Sequence, residues 1–166
     1  MTERRVVLMR HAKSSWKSDA PTDHARPLNK RGRRAAPKVA LELKRLDWVP
    51  DLVLSSDSVR TTETWDLMHE AMGGERPVRF LPELYHGDTD DIRSALATVG
   101  ESFRTVLVLG HNPGWEEALF WFSGRDEEMK TACAALLTKK AISWAEASQS
   151  ATTWALAHFI APRELE

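Results

Sequence analysis

The sequence predicts an α/β fold in three layers (α/β/α), with helices on both faces of a mostly parallel central sheet. Two observations predict it: short apolar runs of strand length recur along the chain, and segments with the apolar spacing of helices separate them. A length of 166 residues is enough to bury a sizeable core. Because no linker or repeat interrupts the pattern, we expect residues 1–166 to form a single domain.

Four apolar runs rich in Val and Leu are typical of strands buried in a parallel sheet, and a polar or glycine-containing loop follows each one. These predicted strands are residues 5–9, 51–54, 78–81 and 105–109. Apolar residues with a spacing of three or four predict helices over residues 30–46, 58–72, 89–99 and 115–122. The alternation of strand and helix favours parallel pairing of the strands.

The tail after residue 124 is predicted as a helix followed by a hairpin. Helical spacing relates Met129, Ala132, Cys133, Leu136 and Leu137. The alternation typical of strands relates Ile142 to Trp144, and then Trp154, Leu156 and His158.

Composition excludes several classes of protein and partner. Cys133 is the only cysteine, so no disulfide forms within the chain, and this usage fits the reducing cytoplasm. No apolar run is long enough to span a membrane, and no basic run carries the interleaved aromatic residues of a nucleic-acid stacking surface. We therefore expect a cytoplasmic protein with no nucleic-acid or membrane partner.

Charge is distributed unevenly, although the formal net charge is only −1. Residues 1–60 hold 14 Lys and Arg against 7 Asp and Glu, whereas residues 61–166 hold 9 against 17. This asymmetry indicates either an anion site supplied by the N-terminal third or a solvated basic helix face, and the sequence leaves both open.

Polar side chains follow all four predicted strands, at the edge where ligands of open α/β sheets bind. They are Arg10 and His11 after the first strand, Arg60 after the second, Glu83 after the third and His111 after the fourth. Each residue alone has an ordinary structural explanation, as a hydrogen-bonded histidine, an ion-pair partner or a solvated carboxylate. All four strand ends supply groups that suit one anion, and this joint occurrence favours a single shared anion-binding site.

Two arginines, two histidines and one carboxylate suit phosphoryl transfer. The transition state of that reaction spreads negative charge over equatorial oxygens, which guanidinium groups bind in pairs. A neutral imidazole is a competent nucleophile when its second ring nitrogen is held as N–H. A carboxylic acid can protonate the leaving group and then deprotonate water. No metal-ligand or cofactor motif is present, so neither a metal ion nor a cofactor is expected.

Five motifs in order carry a resemblance to a known family. They are VLMRHAKSSW at 7–16, RPLNKRG at 26–32, SSDSVRTTET at 55–64, LPELY at 81–85 and GHNPG at 110–114. From about residue 4 to residue 122, the chain resembles the histidine phosphatase superfamily, and within it the short SixA-like branch of phosphohistidine phosphatases. The resemblance implies a phosphoglycerate mutase-like fold.

The resemblance also implies roles for the residues at the strand ends. His11 would be the nucleophile that becomes phosphorylated. Arg10, Arg60 and His111 would bind the phosphoryl oxygens, and His111 would belong to the catalytic set with His11. Glu83 stands where the family's proton donor usually stands.

The proton donor stays open at this point, because a phosphoramidate leaving group needs little protonation. Asp88, Asp90 or His86 could take the place of Glu83. Ser14 is a further candidate to bind the phosphate, and capping of a short turn explains it equally well.

Short connections between the motifs bear on the substrate. Only 22 residues separate Arg60 from Glu83 and 27 separate Glu83 from His111, which leaves no room for a lid and implies a site open to a protein side chain. Lys13 and Lys17 depart from the family pattern and make the entrance more cationic. The implied substrate is a histidine-phosphorylated phosphotransfer protein. A small-molecule phosphomonoesterase, a phosphoglycerate mutase-like enzyme and a non-catalytic phosphoprotein-binding module remain as alternatives.

Overall fold

A six-stranded sheet forms the centre of the computed structural model, which describes residues 1–165. The strands are β1 (Thr2–Arg10), β2 (Leu52–Ser55), β3 (Val78–Phe80), β4 (Thr105–Gly110), β5 (Ala134–Ala141) and β6 (Ala155–Ile160). Their order in the sheet is β3-β2-β4-β1-β5-β6. The first four strands pair in parallel, β5 is antiparallel to β1, and β6 is antiparallel to β5. The prediction of a mostly parallel sheet is confirmed.

The helices are α1 (Lys30–Arg45), α2 (Val59–Met72), α3 (Thr89–Ala97), α4 (Gly114–Ser123) and α5 (Trp144–Ala147). The first four lie within two residues of their predicted bounds. Side-chain caps explain three of the starts, because Asn29, Ser58 and Asp88 each accept a hydrogen bond from a backbone N–H of the first turn. Within residues 1–165, no helix combines the length and apolar character needed to cross a membrane.

Helices cover both faces of the sheet, which confirms the three-layer prediction. The alternation of side chains along β1 shows how the core is divided. Val7 and Met9 pack in the layer formed with α1 and α2, whereas Val6 and Leu8 pack in the layer formed with α3, α4 and α5. The carboxyl ends of the four parallel strands therefore emerge at one edge, between the two helical layers.

The predicted helix through Met129, Ala132, Cys133, Leu136 and Leu137 is wrong. Residues 129–133 form an irregular segment and a turn, and residues 134–137 begin β5, which lies in the sheet between β1 and β6. Residues 132–137 are apolar without a break, and a continuous run fits a strand covered on both faces as well as a helix. Pairing with β1 on one side and β6 on the other, which the local sequence does not encode, decides between the two.

The predicted strand through Ile142 and Trp144 is also wrong. Ser143 caps the one-turn helix α5, which buries Trp144 and leaves Ile142 exposed. The predicted strand through Leu156 and His158 is confirmed as β6.

The first turn of α1 packs directly against the chain that follows β1. Gly32 lies in that turn, and a Cβ atom built on it would overlap the backbone of Lys13. The Lys13 carbonyl also accepts a hydrogen bond from the Asn29 N–H at 3.0 Å. Glycine is required at this contact, which holds the segment after His11 in place.

Replacing Gly32 with alanine is expected to lower the free energy of unfolding by about 1–3 kcal/mol, because backbone overlap is relieved only by moving α1. At an unobstructed helical position the same change would stabilise by up to about 1 kcal/mol, so the sign is informative. Urea unfolding followed by circular dichroism measures both.

Gly100→Ala is the matched control for this experiment. A Cβ atom there would meet only the Phe103 ring, at an ordinary 3.9 Å. The expected change is within about 0.5 kcal/mol. Equal losses in the two variants, or a gain for Gly32→Ala, would contradict the close contact between α1 and Lys13.

Candidate active site

Three strand ends bring His11, Arg60 and His111 to the same edge of the sheet. His11 follows β1, and its backbone N–H donates to the Gly110 carbonyl at 3.0 Å, which extends the pairing of β1 with β4. His111 follows β4, and Arg60 lies in the first turn of α2, just after β2. The ring centroids of the two histidines are 5.2 Å apart. The structure therefore brings these three predicted residues together.

The His11 ring is fixed in one tautomer. Its Nδ1 lies 2.6 Å from the Ala12 carbonyl oxygen, which can only accept, so Nδ1 carries the proton. Its Nε2 accepts a hydrogen bond from Arg60 Nε at 3.3 Å and therefore carries the lone pair. Burial, reinforced by Arg60 and Arg10, lowers the pKa of His11 to about 4. At neutral pH, His11 is an uncharged imidazole with a nucleophilic nitrogen turned toward Arg60.

His111 has one ring nitrogen bonded and one unbonded. Its Nε2 lies 2.8 Å from the Ser56 hydroxyl, which itself accepts a hydrogen bond from the Ser58 N–H. Its Nδ1 is buried and has no hydrogen-bond partner in residues 1–165. Burial, followed by the effects of His11 and Arg60, lowers the pKa of His111 to about 2. The ring is thus neutral and has an unmatched polar atom inside the site.

Arg10 is held by the loop that follows α4. Its guanidinium donates to the Met129 carbonyl at 3.1 Å, and the Asn112 side-chain amide donates to the same oxygen at 2.8 Å. The Met129 N–H donates to the Glu116 carboxylate at 2.6 Å, which anchors the loop. Burial lowers the pKa of Arg10. Because the ordinary pKa of an arginine is very high, the side chain still stays charged at neutral pH.

Arg60 is buried, and its guanidinium joins His11 to an aspartate that the sequence analysis did not single out. It donates to the Asp23 carbonyl at 2.8 Å and to the Asp23 carboxylate at 3.0 Å. The same carboxylate accepts from the Tyr85 hydroxyl at 2.6 Å and from Arg26 Nε at 3.1 Å. The Tyr85 hydrogen bond, with Arg60 and Arg26, holds the pKa of Asp23 far below its usual range. An ionised carboxylate therefore stands beside the nucleophile.

Asp23 escaped the sequence analysis for a physical reason. It lies in the irregular segment between β1 and α1, where no strand end marks its position. Its spacing of three from Arg26 is the only local signal of a charge pair. Its contact with Arg60 spans 37 residues of chain and exists only once the fold has formed.

Glu83 lies at this edge of the sheet but takes no part in the hydrogen bonds around His11. It is exposed on a single turn of 3-10 helix, Pro82–Leu84, and makes no side-chain hydrogen bond or ion pair with residues 1–165. Asp88 instead caps α3, and Asp90 pairs with Arg93 at 3.1 Å. Neither aspartate is bonded to the histidines.

His86 and Ser14 reach the site through neighbours. The His86 ring lies 5.8 Å from the His111 ring, and its Nε2 is 3.6 Å from the Asp23 carboxylate. The buried Ser14 hydroxyl accepts from Arg26 at 2.7 Å. Ser14 thus orients an arginine that in turn contacts Asp23. Among residues 1–165 there is no group of three His, Cys, Asp or Glu side chains placed to hold a metal ion.

Comparisons with known proteins agree with this geometry. A family model described as the histidine phosphatase superfamily (branch 1) matches residues 6–108. An uncharacterized chloroplastic protein of Arabidopsis thaliana is 41% identical over 172 residues, spanning 96% of this chain and 78% of that protein. Among solved structures, the proposed phosphohistidine phosphatase SixA of Agrobacterium tumefaciens is 28% identical, with a TM-score of 0.81 over 96% of this chain and 98% of that chain.

A more distant structure tests the fold alone. The phosphoglycerate mutase of Bacillus anthracis is 13% identical, with a TM-score of 0.68 over 93% of this chain and 92% of that chain. The predicted phosphoglycerate mutase-like fold and the resemblance to the SixA-like branch are both confirmed.

The neutral state of His11 can be measured by NMR titration of its ring. In the wild-type protein we expect a pKa of about 4. Arg60→Gln is expected to raise that pKa toward the ordinary value of about 6.5 without reaching it, because the cation is removed while the burial remains. Arg45→Gln, at the far end of α1, is the control and should leave the His11 titration unchanged. A His11 pKa near 6.5 in the wild type would contradict the electrostatic description.

Proposed function

This chain belongs to the histidine phosphatase superfamily and is a phosphatase, and we propose that it removes the phosphoryl group from phosphohistidine carried by a protein. The observation that carries the proposal is the state of His11. Its Nδ1 proton is bonded to the Ala12 carbonyl, so Nε2 presents its lone pair next to Arg60 in a buried site. These are the requirements for a histidine nucleophile.

The first step forms a phosphoenzyme. In the proposed reaction, His11 Nε2 attacks phosphorus, the bond from phosphorus to the substrate nitrogen breaks, and the departing imidazole takes up a proton. Arg10 and Arg60 bind the equatorial oxygens, and the unmatched Nδ1 of His111 donates to a third. The neutral ring of His111 can hold a proton on Nδ1 while Nε2 accepts from Ser56.

The second step restores the enzyme. Water attacks the phosphorus on His11, and the bond from phosphorus to Nε2 breaks. A base accepts the proton that the water loses, and inorganic phosphate leaves. Glu83 is proposed as the group that gives and later takes the proton, on the strength of its position in the family motif. Because all the groups in this scheme are side chains of the protein, we propose that the reaction needs no metal ion.

The carboxylates of the site favour a nitrogen leaving group over an alkoxide. Asp23 is held ionised and has no proton to give, and Glu83 is exposed without a bonding partner in residues 1–165. An alkoxide from a phosphate ester needs a well-placed acid, whereas the imidazole of phosphohistidine leaves with little assistance. This difference supports phosphohistidine as the substrate class.

Phosphate release is the test, measured in the presence of EDTA from a histidine-phosphorylated phosphotransfer protein and from a panel of phosphate monoesters. The wild type is expected to prefer the phosphoprotein, and His11→Ala to lose at least about 10³-fold in rate, because no nucleophile remains. Glu83→Gln should lose only about threefold on the phosphoprotein but up to about 10²-fold on monoesters.

Glu75→Gln, an exposed carboxylate beside β3, is the matched control for Glu83→Gln. Preference for the monoesters would instead indicate a small-molecule phosphatase. Phosphate binding without any turnover would indicate a phosphoprotein-binding module. Activity that requires an added metal ion would overturn the proposed metal-free reaction.

A further inference from the structure

The Asp23 carboxylate occupies an anion position that belongs to the active site. This anion position is the space bounded by the Arg60 guanidinium, the Tyr85 hydroxyl and Arg26 Nε, which donate to the carboxylate at 3.0, 2.6 and 3.1 Å. Arg60 contacts His11 Nε2 at the same time. A single guanidinium thus separates the carboxylate from the nucleophile.

A phosphoryl group and the Asp23 carboxylate would need the same donors. Of the five N–H groups of Arg60, one contacts His11 and two contact Asp23. Nε and Nη2 form the edge of Arg60 beside His11, and paired binding of phosphoryl oxygens through this edge uses the Nη2 that now donates to the carboxylate. Two anions on one guanidinium also repel each other. Phosphate binding and the bond from Arg60 to the Asp23 carboxylate therefore oppose each other.

The segment that carries Asp23 stays attached when this one bond is released. The His24 carbonyl accepts from the Val59 N–H at 3.0 Å, and the His24 ring lies 2.9 Å from the Asp57 carboxylate. Arg26 is itself held by the Ser14 hydroxyl and remains a partner for Asp23. The carboxylate therefore stays close to Arg60 and acts at a high effective concentration.

We propose that Asp23 is an internal competitor of phosphate that speeds release of the product and makes inorganic phosphate a weak inhibitor. The proposal rests on the proposed phosphatase function. A phosphorylated protein makes further contacts with the enzyme, and their binding energy helps its phosphoryl group to displace the carboxylate. Inorganic phosphate makes no such contacts and competes through its own charge alone. Asp23 is thereby a specificity-determining residue that favours large substrates over free phosphate.

The test compares the wild type with Asp23→Asn, which keeps the shape of the side chain and removes its charge. Calorimetry with inorganic phosphate should show a dissociation constant at least about tenfold lower in the variant, because like-charge repulsion is gone. The inhibition constant of phosphate and KM should fall together, and kcat should fall as release slows. Asp19→Asn, in the same segment and without a bond to the site, should match the wild type.

A merely structural role predicts a different pattern. It would lower kcat and the melting temperature with unchanged or weaker phosphate binding, and that result would overturn the proposal. Asp23→Glu should restore weak phosphate binding. If both Asp23→Asn and Asp23→Ala fail to fold, Asp23 is structural and the proposal is wrong. Calorimetry measures phosphate binding without turnover, so the two proposals can fail separately. If the wild type has no phosphatase activity but Asp23→Asn binds phosphate more tightly than the wild type, the proposed function is wrong and the competition is supported.

A second observation concerns a cavity of about 940 Å³ beside Arg10. It lies between α1, the loop after α4 and the segment after β6. Besides Arg10, its cationic side chains are Lys13, Arg31, Arg34, Lys38, Lys130 and Arg163. Three carboxylates also line it, Glu127, Glu128 and Glu164, which leaves a clear excess of positive charge. We call this cavity the basic groove.

The cations of the basic groove have no ion-pair partners among the described residues, although three carboxylates line the same cavity. None of the six cations beyond Arg10 forms an ion pair with a carboxylate of residues 1–165. Arg31, Arg34 and Lys38 are spaced by three and four residues, so they form a row of about 10 Å along one face of α1. A row of this length is longer than one phosphate and suits several acidic groups in series.

The structure assigns the basic groove to an acidic segment of the protein that carries the phosphohistidine. Arg10 lines the groove and directly precedes His11 in the chain, so the groove begins next to the nucleophile and can receive residues that flank a phosphorylated side chain bound there. The assignment rests on the proposed function. Charge complementarity then adds affinity and accelerates encounter for substrates with acidic residues next to the phosphorylated histidine.

Two labelled peptides with a central histidine, one flanked by Glu and Asp and the other by Ser and Gln, test the assignment by fluorescence anisotropy. Unphosphorylated peptides need no catalysis, so the result is independent of turnover. The acidic peptide should bind at least about tenfold more tightly at low salt, and the difference should shrink as salt is added. The double variant Arg34→Glu/Lys38→Glu should remove the preference.

Lys44→Glu/Arg45→Glu carries the same charge change on the same helix outside the groove and should keep the preference. With phosphohistidine versions of the peptides, the groove variant should raise KM for the acidic peptide only. No preference in the wild type, or a preference that survives in the groove variant, would overturn the assignment. Binding of duplex DNA or of phosphatidylserine vesicles in place of the acidic peptide would also overturn it.

Discussion

The hydrogen bond from the His11 N–H to the Gly110 carbonyl is the contact on which the arrangement of the site depends. It continues the parallel pairing of β1 with β4 beyond the end of β1. The hydrogen bond therefore fixes the positions at which the segments after β1 and β4 leave the sheet. The segment after β1 carries His11 and the segment after β4 carries His111, which is why the centroids of the two rings lie 5.2 Å apart. Because β2 pairs with the other side of β4, the turn into α2 adds Arg60 to the same edge.

Burial and positive charge act in the same direction on both histidines. Burial alone or nearby positive charge alone would favour a neutral ring. Together, these two effects place the pKa values of His11 and His111 well below neutrality. Neutrality gives His11 its nucleophilic lone pair, while the arginines provide the attraction for an anion. The cost is an excess of cationic groups in a partly buried site, which Asp23 offsets when phosphate is absent.

The parts of the fold that could be predicted are those in which local pattern and tertiary context agree. The parallel strands are apolar runs bounded by polar loops, and capping residues such as Asn29 and Ser58 mark the helix starts. In the tail, residues 132–137 fit strand and helix equally, so only pairing with β1 and β6 settled the outcome. The residues at the strand ends were accessible for the same reason, whereas Asp23 depends on a contact with Arg60 that no local pattern contains.

The environment of Ser14 supports the proposed exchange of the Asp23 carboxylate for a phosphoryl group. Ser14 was a candidate for phosphate binding, yet its hydroxyl holds Arg26, and Arg26 also lies over the Trp16 ring. An arginine fixed in this way offers Asp23 a second cationic partner that does not touch His11. In the proposed competition, a phosphoryl group displaces the carboxylate from Arg60, and the bond from Arg26 Nε keeps that carboxylate paired with a cation. The exchange therefore needs only a short movement of one carboxylate, because the segment that carries Asp23 is anchored at His24.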